Sequence, residues 1–274
     1  MSKTRNERPA GLRIWVALDA SPRGAAALAA AAAAALAQEL DAELAGLFVE
    51  DVNLQHLFGL PFAREYSVLT GAARPLSQGE VERTWRHQAA AMERLLSEAA
   101  GRQRLRWSFR VARGRVTAEV STLAHTFDLI VLGKLAGSRV VAVTRTTMRL
   151  GDRPPPPREG PVMVLFENVS ASASSLAMGV MLARRNGAEL VVLVSAASKD
   201  AYRAACAIAR SALKDRGAAG RCVWFPTLDE ASLIQTAKNE MAGCLVLADR
   251  ERFLRQAGFE RMVDEIECPI VLTH

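Results

Sequence analysis

The sequence predicts an α/β protein in which one unit of parallel sheet and helices is built twice. Three observations predict it. Half of the 274 residues are apolar but only 5% are aromatic, a composition in which alanine-faced helices lie close on a Val/Leu-rich sheet. Short apolar runs alternate strictly with helical periods. After a stretch with four consecutive prolines, Pro154 to Pro157, the same programme restarts.

Ile14 to Leu18, closed by Asp19, Ala20, Ser21 and Pro22, reads as a buried parallel strand that ends before a helix. Arg23 to Leu40 is nearly all alanine and leucine, the best helix formers, with side chains small enough for close approach to a sheet. Ala42 to Val49 is a second strand. The next stretch, about 50–79, carries prolines and glycines without a sustained period and reads as an insertion. Within it Leu54, Leu57, Phe58, Leu60 and Phe62 form an apolar face, which serves either a lid or partner surface or a loop with one helical turn pinned to the core. Ser77 and Glu80 make a capping box before Val81, Trp85, Met92, Leu95, Leu96 and Ala99, which recur at helical spacing. Leu105 to Val111 is the next strand; Val116, Val120, Leu123 and Phe127 mark a helix, and Leu129 to Leu132 a fourth strand. VVAVTRTTMRL, from Val140, fits strand or helix, and GDRPPPPREG, from Gly151, is a linker because its prolines preclude both.

The second half repeats this order. Val162 to Phe166 is a strand, about 172–186 a helix, and Glu189 to Val194 a strand. Tyr202, Cys206, Ala209 and Leu213 form a helix face and Cys222 to Phe225 a strand. Thr227 with Glu230 is a capping box before Leu233, Ala237 and Met241. Cys244 to Leu247 is again a fourth strand, Phe259, Met262, Val263 and Ile266 a last helical face, and CPIVLTH a closing strand. Aligning Ser21 on Ser170 pairs Asp19 with Asn168, and AELAGLFV from Ala42 pairs with AELVVLVS from Ala188. The expected organisation is a basic tail over 1–12, a first domain over 13–150, a linker over 151–160 and a second domain over 161–274.

No stretch reaches the 18 or so apolar residues of a membrane span. MSKTRNERPAGLR leads into no signal-type apolar region, so the expected location is cytoplasmic. Cys206, Cys222, Cys244 and Cys268 match no zinc or redox spacing and are expected as buried free thiols. The net charge of +6 is spread over scattered arginines without interleaved aromatics, which argues against nucleic acid as the partner. None of His56, His87, His125 and His274 belongs to a catalytic or metal motif, and no Walker loop or Gly-x-Gly-x-x-Gly run is present, so the chain does not read as an enzyme.

The strongest local signal is DLIVLGKLAGSR, from Asp128, where a strand empties at Gly133 into a small, basic, hydroxylated loop. Ligands of open α/β sheets bind outside the carboxyl ends of strands, where glycine lets backbone N–H groups approach a phosphate. With RIWVALDAS, AELAGLFVED and VDEIECPIVL, this stretch makes the chain resemble the universal stress protein family over most of its length. The resemblance implies two Rossmann-like parallel-sheet domains in tandem, packed as a pseudo-dimer through strand five. The expected contact strand is then CPIVL, whereas the first half's own strand five is eroded between Val140 and Pro157.

Nucleotide-binding members of that family carry, after strand four, Gly, two residues, Gly, nine residues, then Gly and Ser or Thr. Gly133 fits the first place, Ala136 stands at the second with Gly137 one late, and Thr146 and Thr147 stand at the last two. The resemblance thus points to Asp19, Ala20, Ser21, Val49, Gly133, Lys134, Gly137, Ser138 and Thr147 as the cofactor-binding set of the first domain. Asp19 and Ser21 serve equally as a cap of the first helix, and residues such as Lys134 and Arg139 are more often solvated surface charges than ligands. In the second half the matching residues are Ala248, Glu251, Arg261 and Met262, so no phosphate cradle remains. Losing two charge-assisted contacts costs about 3–6 kcal/mol, a hundredfold to ten-thousandfold in affinity. The expectation is a non-enzymatic stress-response protein that acts through an unidentified protein partner, with a homodimer as a further arrangement. No cofactor is expected; ATP in the first domain, at low affinity, is the alternative.

Overall fold

The computed structural model describes residues 12–18, 23–51, 64–66, 73–75, 78–114, 116–123, 128–132, 160–225, 229–248, 250–256 and 258–273. The first half comprises β1 (Arg13–Leu18), α1 (Arg23–Glu39), β2 (Glu43–Asp51), β3 (Arg64–Tyr66), β4 (Ala73–Pro75), α2 (Gln78–Gln103), β5 (Trp107–Gly114), α3 (Val116–Leu123) and β6 (Leu129–Leu132). The second comprises β7 (Val162–Phe166), α4 (Ala173–Asn186), β8 (Leu190–Ser195), α5 (Lys199–Lys214), β9 (Arg221–Phe225), α6 (Glu230–Asn239), β10 (Cys244–Leu247), α7 (Arg250–Arg255), α8 (Phe259–Glu265) and β11 (Ile270–Leu272).

One nine-stranded sheet runs β5-β2-β1-β6-β11-β10-β7-β8-β9. From either outer edge the strands of a half follow in the order third, second, first, fourth. β11 lies between the two fourth strands, parallel to β10 and antiparallel to β6, with Val271 opposite both Val246 and Val131. CPIVL is thus the joint expected from the sequence, and its partner is the first half's fourth strand. The region expected to hold an eroded fifth strand of the first half, Val140 to Pro157, lies outside the described residues.

Helices cover both faces of the sheet, which is why its strands are apolar on both sides. Ile14, Val16, Leu44 and Phe48 pack with α1 and α2, in one cluster with Val164, Val192 and the buried faces of α4 and α5. Trp15, Ala17, Leu47 and Ile130 face the other way, with α3, α6, α7 and α8. Both clusters cross the β6–β11 joint. In α1 the buried stripe is Ala26, Ala29, Ala30, Ala33, Ala34 and Ala37, so the helix backbone comes close to the strands. Trp85, Met92, Leu96 and Ala100 form the stripe of α2.

Helix ends account for most departures from the sequence reading. Five helices close alike: a residue at positive φ follows the last turn, and the next N–H returns to a carbonyl five residues back. Asp41 and Ala42 close α1, Arg104 and Leu105 α2, Gly187 and Ala188 α4, Gly217 and Ala218 α5, Met241 and Ala242 α6. Leu105 therefore belongs to the end of α2, and β5 begins at Trp107. Met241, expected on the core face of α6, has φ 50° and is 76% exposed. The cap of α6 is Asp229, whose Oδ1 accepts from the Ser232 N–H at 2.8 Å, and the expected Thr227 lies outside the described residues. In the insertion, β2 extends to Asp51 and β3 pairs antiparallel with β4, a small ribbon that the absence of periodicity did not foretell. Leu54, Leu57, Phe58, Leu60 and Phe62, with Ser77 and Phe127, lie outside the described residues.

Candidate functional site

In each half the sheet order reverses between the first and fourth strands, so the carboxyl ends of β1 and β6, and of β7 and β10, frame the crevice where open α/β sheets hold ligands. In the second half this crevice is described almost completely. Its turn, residues 167–172, pairs three of its N–H groups within itself. The Glu167 N–H donates to Ser172 Oγ at 3.1 Å, and the Ala171 N–H donates to Asn168 Oδ1 at 2.8 Å. Ser170 Oγ donates to the same Asn168 oxygen at 2.9 Å, and the Ser172 N–H donates to the Asn168 carbonyl. Asn168, aligned with Asp19, thus organises a turn in which the Glu167, Ala171 and Ser172 N–H groups are paired.

Two further contacts close the mouth. Arg252, in α7 beyond β10, donates from one Nη to both oxygens of Glu167, at 2.8 and 2.9 Å, and its guanidinium lies 5.5 Å from the Phe253 ring centroid. Ser174, in the first turn of α4, is 3.1 Å from Thr273 Oγ1, and the Thr273 N–H donates to the Leu247 carbonyl. Of the positions that match the phosphate loop, Met262 is buried in the apolar cluster beneath α8, and Arg261 donates to Glu265 at 2.7 Å. Sequence comparison of the halves singled out Asn168 and the missing glycines. It missed the Glu167–Arg252 pair, whose members stand 85 residues apart.

The first half is described up to the rim of its crevice. Leu18 and Leu132, the residues before Asp19 and Gly133, end adjacent parallel strands, with Ala17 opposite Leu132. Of the nine predicted site residues, only Val49 is described. It is 4% exposed, opposite Ala112, in the apolar cluster of the α3 face. Asp19, Ala20, Ser21, Gly133, Lys134, Gly137, Ser138 and Thr147 lie outside the described residues. On the same rim is a pair the sequence did not suggest: Arg113 Nε donates to the buried Glu50 carboxylate at 2.6 Å.

Cys206, Cys244 and Cys268 are buried free thiols and Cys222 is half-buried. Burial raises the Cys222 thiol to about 11 and pushes Cys244 up as well, which leaves both protonated at neutral pH. A cavity of 660 Å³ lies at the opposite end of the strands, before β8 and β9. Its Arg184 is engaged by the carbonyls of Arg216 and Gly217. No helix among the described residues is long and apolar enough to cross a membrane.

No family model matches the chain, and no curated protein matches its sequence. Solved structures do match. A universal stress protein from Archaeoglobus fulgidus DSM 4304 superposes with a TM-score of 0.53 at 7% identity, over 95% of both chains. Another from Archaeoglobus fulgidus, in complex with dAMP, matches 42% of this chain and 98% of its own at 18% identity, with a TM-score of 0.35. The cytoplasmic domain of a prokaryotic cation chloride cotransporter matches 96% of this chain and 95% of its own at 8% identity, with a TM-score of 0.46. The first likeness, which spans both halves, is one of fold: this chain has the α/β fold of universal stress proteins.

Proposed function

We propose that this protein is a non-catalytic regulator of the universal stress type, cytoplasmic, whose output is contact with another protein. On this reading it is organised as two tandem domains over 13–150 and 161–274, its second strand-end crevice is closed and its first is degenerate. The observation that carries the reading is the Arg252–Glu167 pair across the mouth of the second crevice, above a turn whose Glu167, Ala171 and Ser172 N–H groups are already used. A triphosphate there would have to displace a charge-assisted pair, and the position where a cradle needs a hydroxyl donor holds Met262, whose side chain is buried in the core.

The test is thermal. A ligand at a hundred times its dissociation constant stabilises a fold by about 2.7 kcal/mol, which at this size raises the melting midpoint by several degrees. With millimolar ATP and magnesium the expected rise is no more than about a degree, with no saturable binding below about 100 μM. The competing reading is an adenine-nucleotide switch seated in the first half through Asp19, Gly133, Lys134, Gly137 and Thr147. A rise of several degrees that Gly133→Val removes, by blocking backbone approach, would replace the proposed reading with that switch.

A further inference from the structure

The two open edges of the nine-stranded sheet are built differently. The β9 edge is five residues long and tied down: Arg221 is held by Glu189 and Glu240, at 3.0 and 2.6 Å. The indole of Trp224 donates to the Ala196 carbonyl at 2.8 Å and lies against Tyr202. The β5 edge is eight residues long, and β2 is its one strand partner among the described residues. It is preceded by Arg102, Arg104 and Arg106 and carries Arg110; all four are exposed, with no ion pair or side-chain hydrogen bond among the described residues. Trp107 and Val111 stand 37% and 44% exposed on the same strand.

Strand alternation sorts these groups. Phe109 packs on the α1/α2 side, so Trp107 and Val111 share that face, whereas Ala112 packs on the α3 side, which Ser108 and Arg110 share. An edge guarded only against pairing needs charge alone. This edge adds an aromatic and a β-branched residue in register between its arginines.

We infer that β5 is a docking edge for an extended acidic segment of another protein, one that alternates acidic with apolar residues and adds to the sheet as a tenth strand. The inference rests on the protein-contact reading above and names its surface. Charge selects the occupant. A second copy paired antiparallel through β5 would set arginine against arginine. This chain's own longer segments outside the described residues do not supply the acid: 1–11 carries three basic residues and one acidic, 133–159 six basic and two acidic, and 52–63 no acidic residue. Added backbone hydrogen bonds supply affinity, and the alternating side chains supply register and specificity.

The probe is a fluorescein-labelled octapeptide alternating Glu and Val, titrated into the full-length protein by anisotropy at low and moderate salt. Its controls are the blocked isomer, four Glu then four Val, and a single-stranded oligothymidylate. The expected result is saturable binding that salt weakens, that is about fivefold or more weaker for the blocked isomer, and that Arg106→Glu/Arg110→Glu reduces about tenfold or more. The melting midpoint of that variant should stay where it was, because neither side chain has an ion pair or hydrogen bond among the described residues. Trp107→Ala should weaken the peptide with the charges intact. Equal affinity for the isomer, no loss in the double variant, absence of binding, or tighter binding of the oligothymidylate would each overturn the inference. The protein-contact reading fails by a different signal, an ATP-dependent melting shift removed by Gly133→Val, whatever the peptide does.

Discussion

Gly179 brings the middle of α4 onto the sheet: a Cβ there would collide with the side chain of Val164 and come within 3.3 Å of Leu190. Alanine is the better helix former by about 1 kcal/mol, but both neighbours are buried and cannot swing away, and overpacking costs about 1–3 kcal/mol. The clash outweighs propensity, so Gly179→Ala should lower the melting midpoint by a few degrees. In a Val164→Ala background, where the space exists, the same substitution should cost nothing or stabilise. Equal losses in both backgrounds would show that Val164 is not what Gly179 accommodates. Single residues are also where the sequence was least informative. Internal alignment located Asn168 because it depends on register between the halves. The Glu167–Arg252 and Ser174–Thr273 contacts lie 85 and 99 residues apart and follow only from strand order. The side chain of Val49 faces the α3 core, so what this residue can offer a ligand at the rim is its backbone.

At the scale of elements, Arg221 on β9 ties together the residue before β8, Glu189, and the end of α6, Glu240. Hydrogen bonds from Arg221 hold the Glu240 carboxyl below its ordinary value. The Glu265 carboxyl of α8 is lowered by Arg261 and then by Lys238, and that of Asp229, the α6 cap, by the Ser232 N–H and hydroxyl. All three folded values lie below the unfolded ones. Their stabilisation is therefore complete above about pH 4–5 and is lost as pH falls through the folded values. Glu240→Gln should lower the melting midpoint at pH 7, and its difference from the parent protein should shrink steadily as the pH is taken toward about 3. A difference that stays constant over that range would remove the Arg221–Glu240 pair from the stability of this region. The elements themselves were legible where side-chain pattern determines them: β6, β7 and β10 have the predicted limits. Helix ends were not. Asp41, Arg104 and Met241 take positive φ without being glycine, and no periodicity marks a closure made by the backbone.

For the molecule as a whole, the halves share three layers and are stitched by one short strand. The three residues of β11, fully buried, pair with β10 on one side and with β6 on the other. Remove the first half and the β6 side of β11 becomes an open edge of Ile270, Val271 and Leu272 with none of the arginines that flank β5. An apolar edge that carries no charge invites pairing with a second copy. Because β11 already runs antiparallel to its present neighbour, two copies can meet there about a two-fold axis, each in the place β6 occupied. Residues 161–274 expressed alone should therefore self-associate or lose solubility as concentration rises, and Val271→Lys should return that fragment to a monomer by placing charge on the edge. Sedimentation velocity over a concentration series reads both outcomes. A fragment that stays monomeric throughout and melts in one cooperative transition would mean that the second half is complete without the first, and that β6 covers an edge with no tendency of its own to pair.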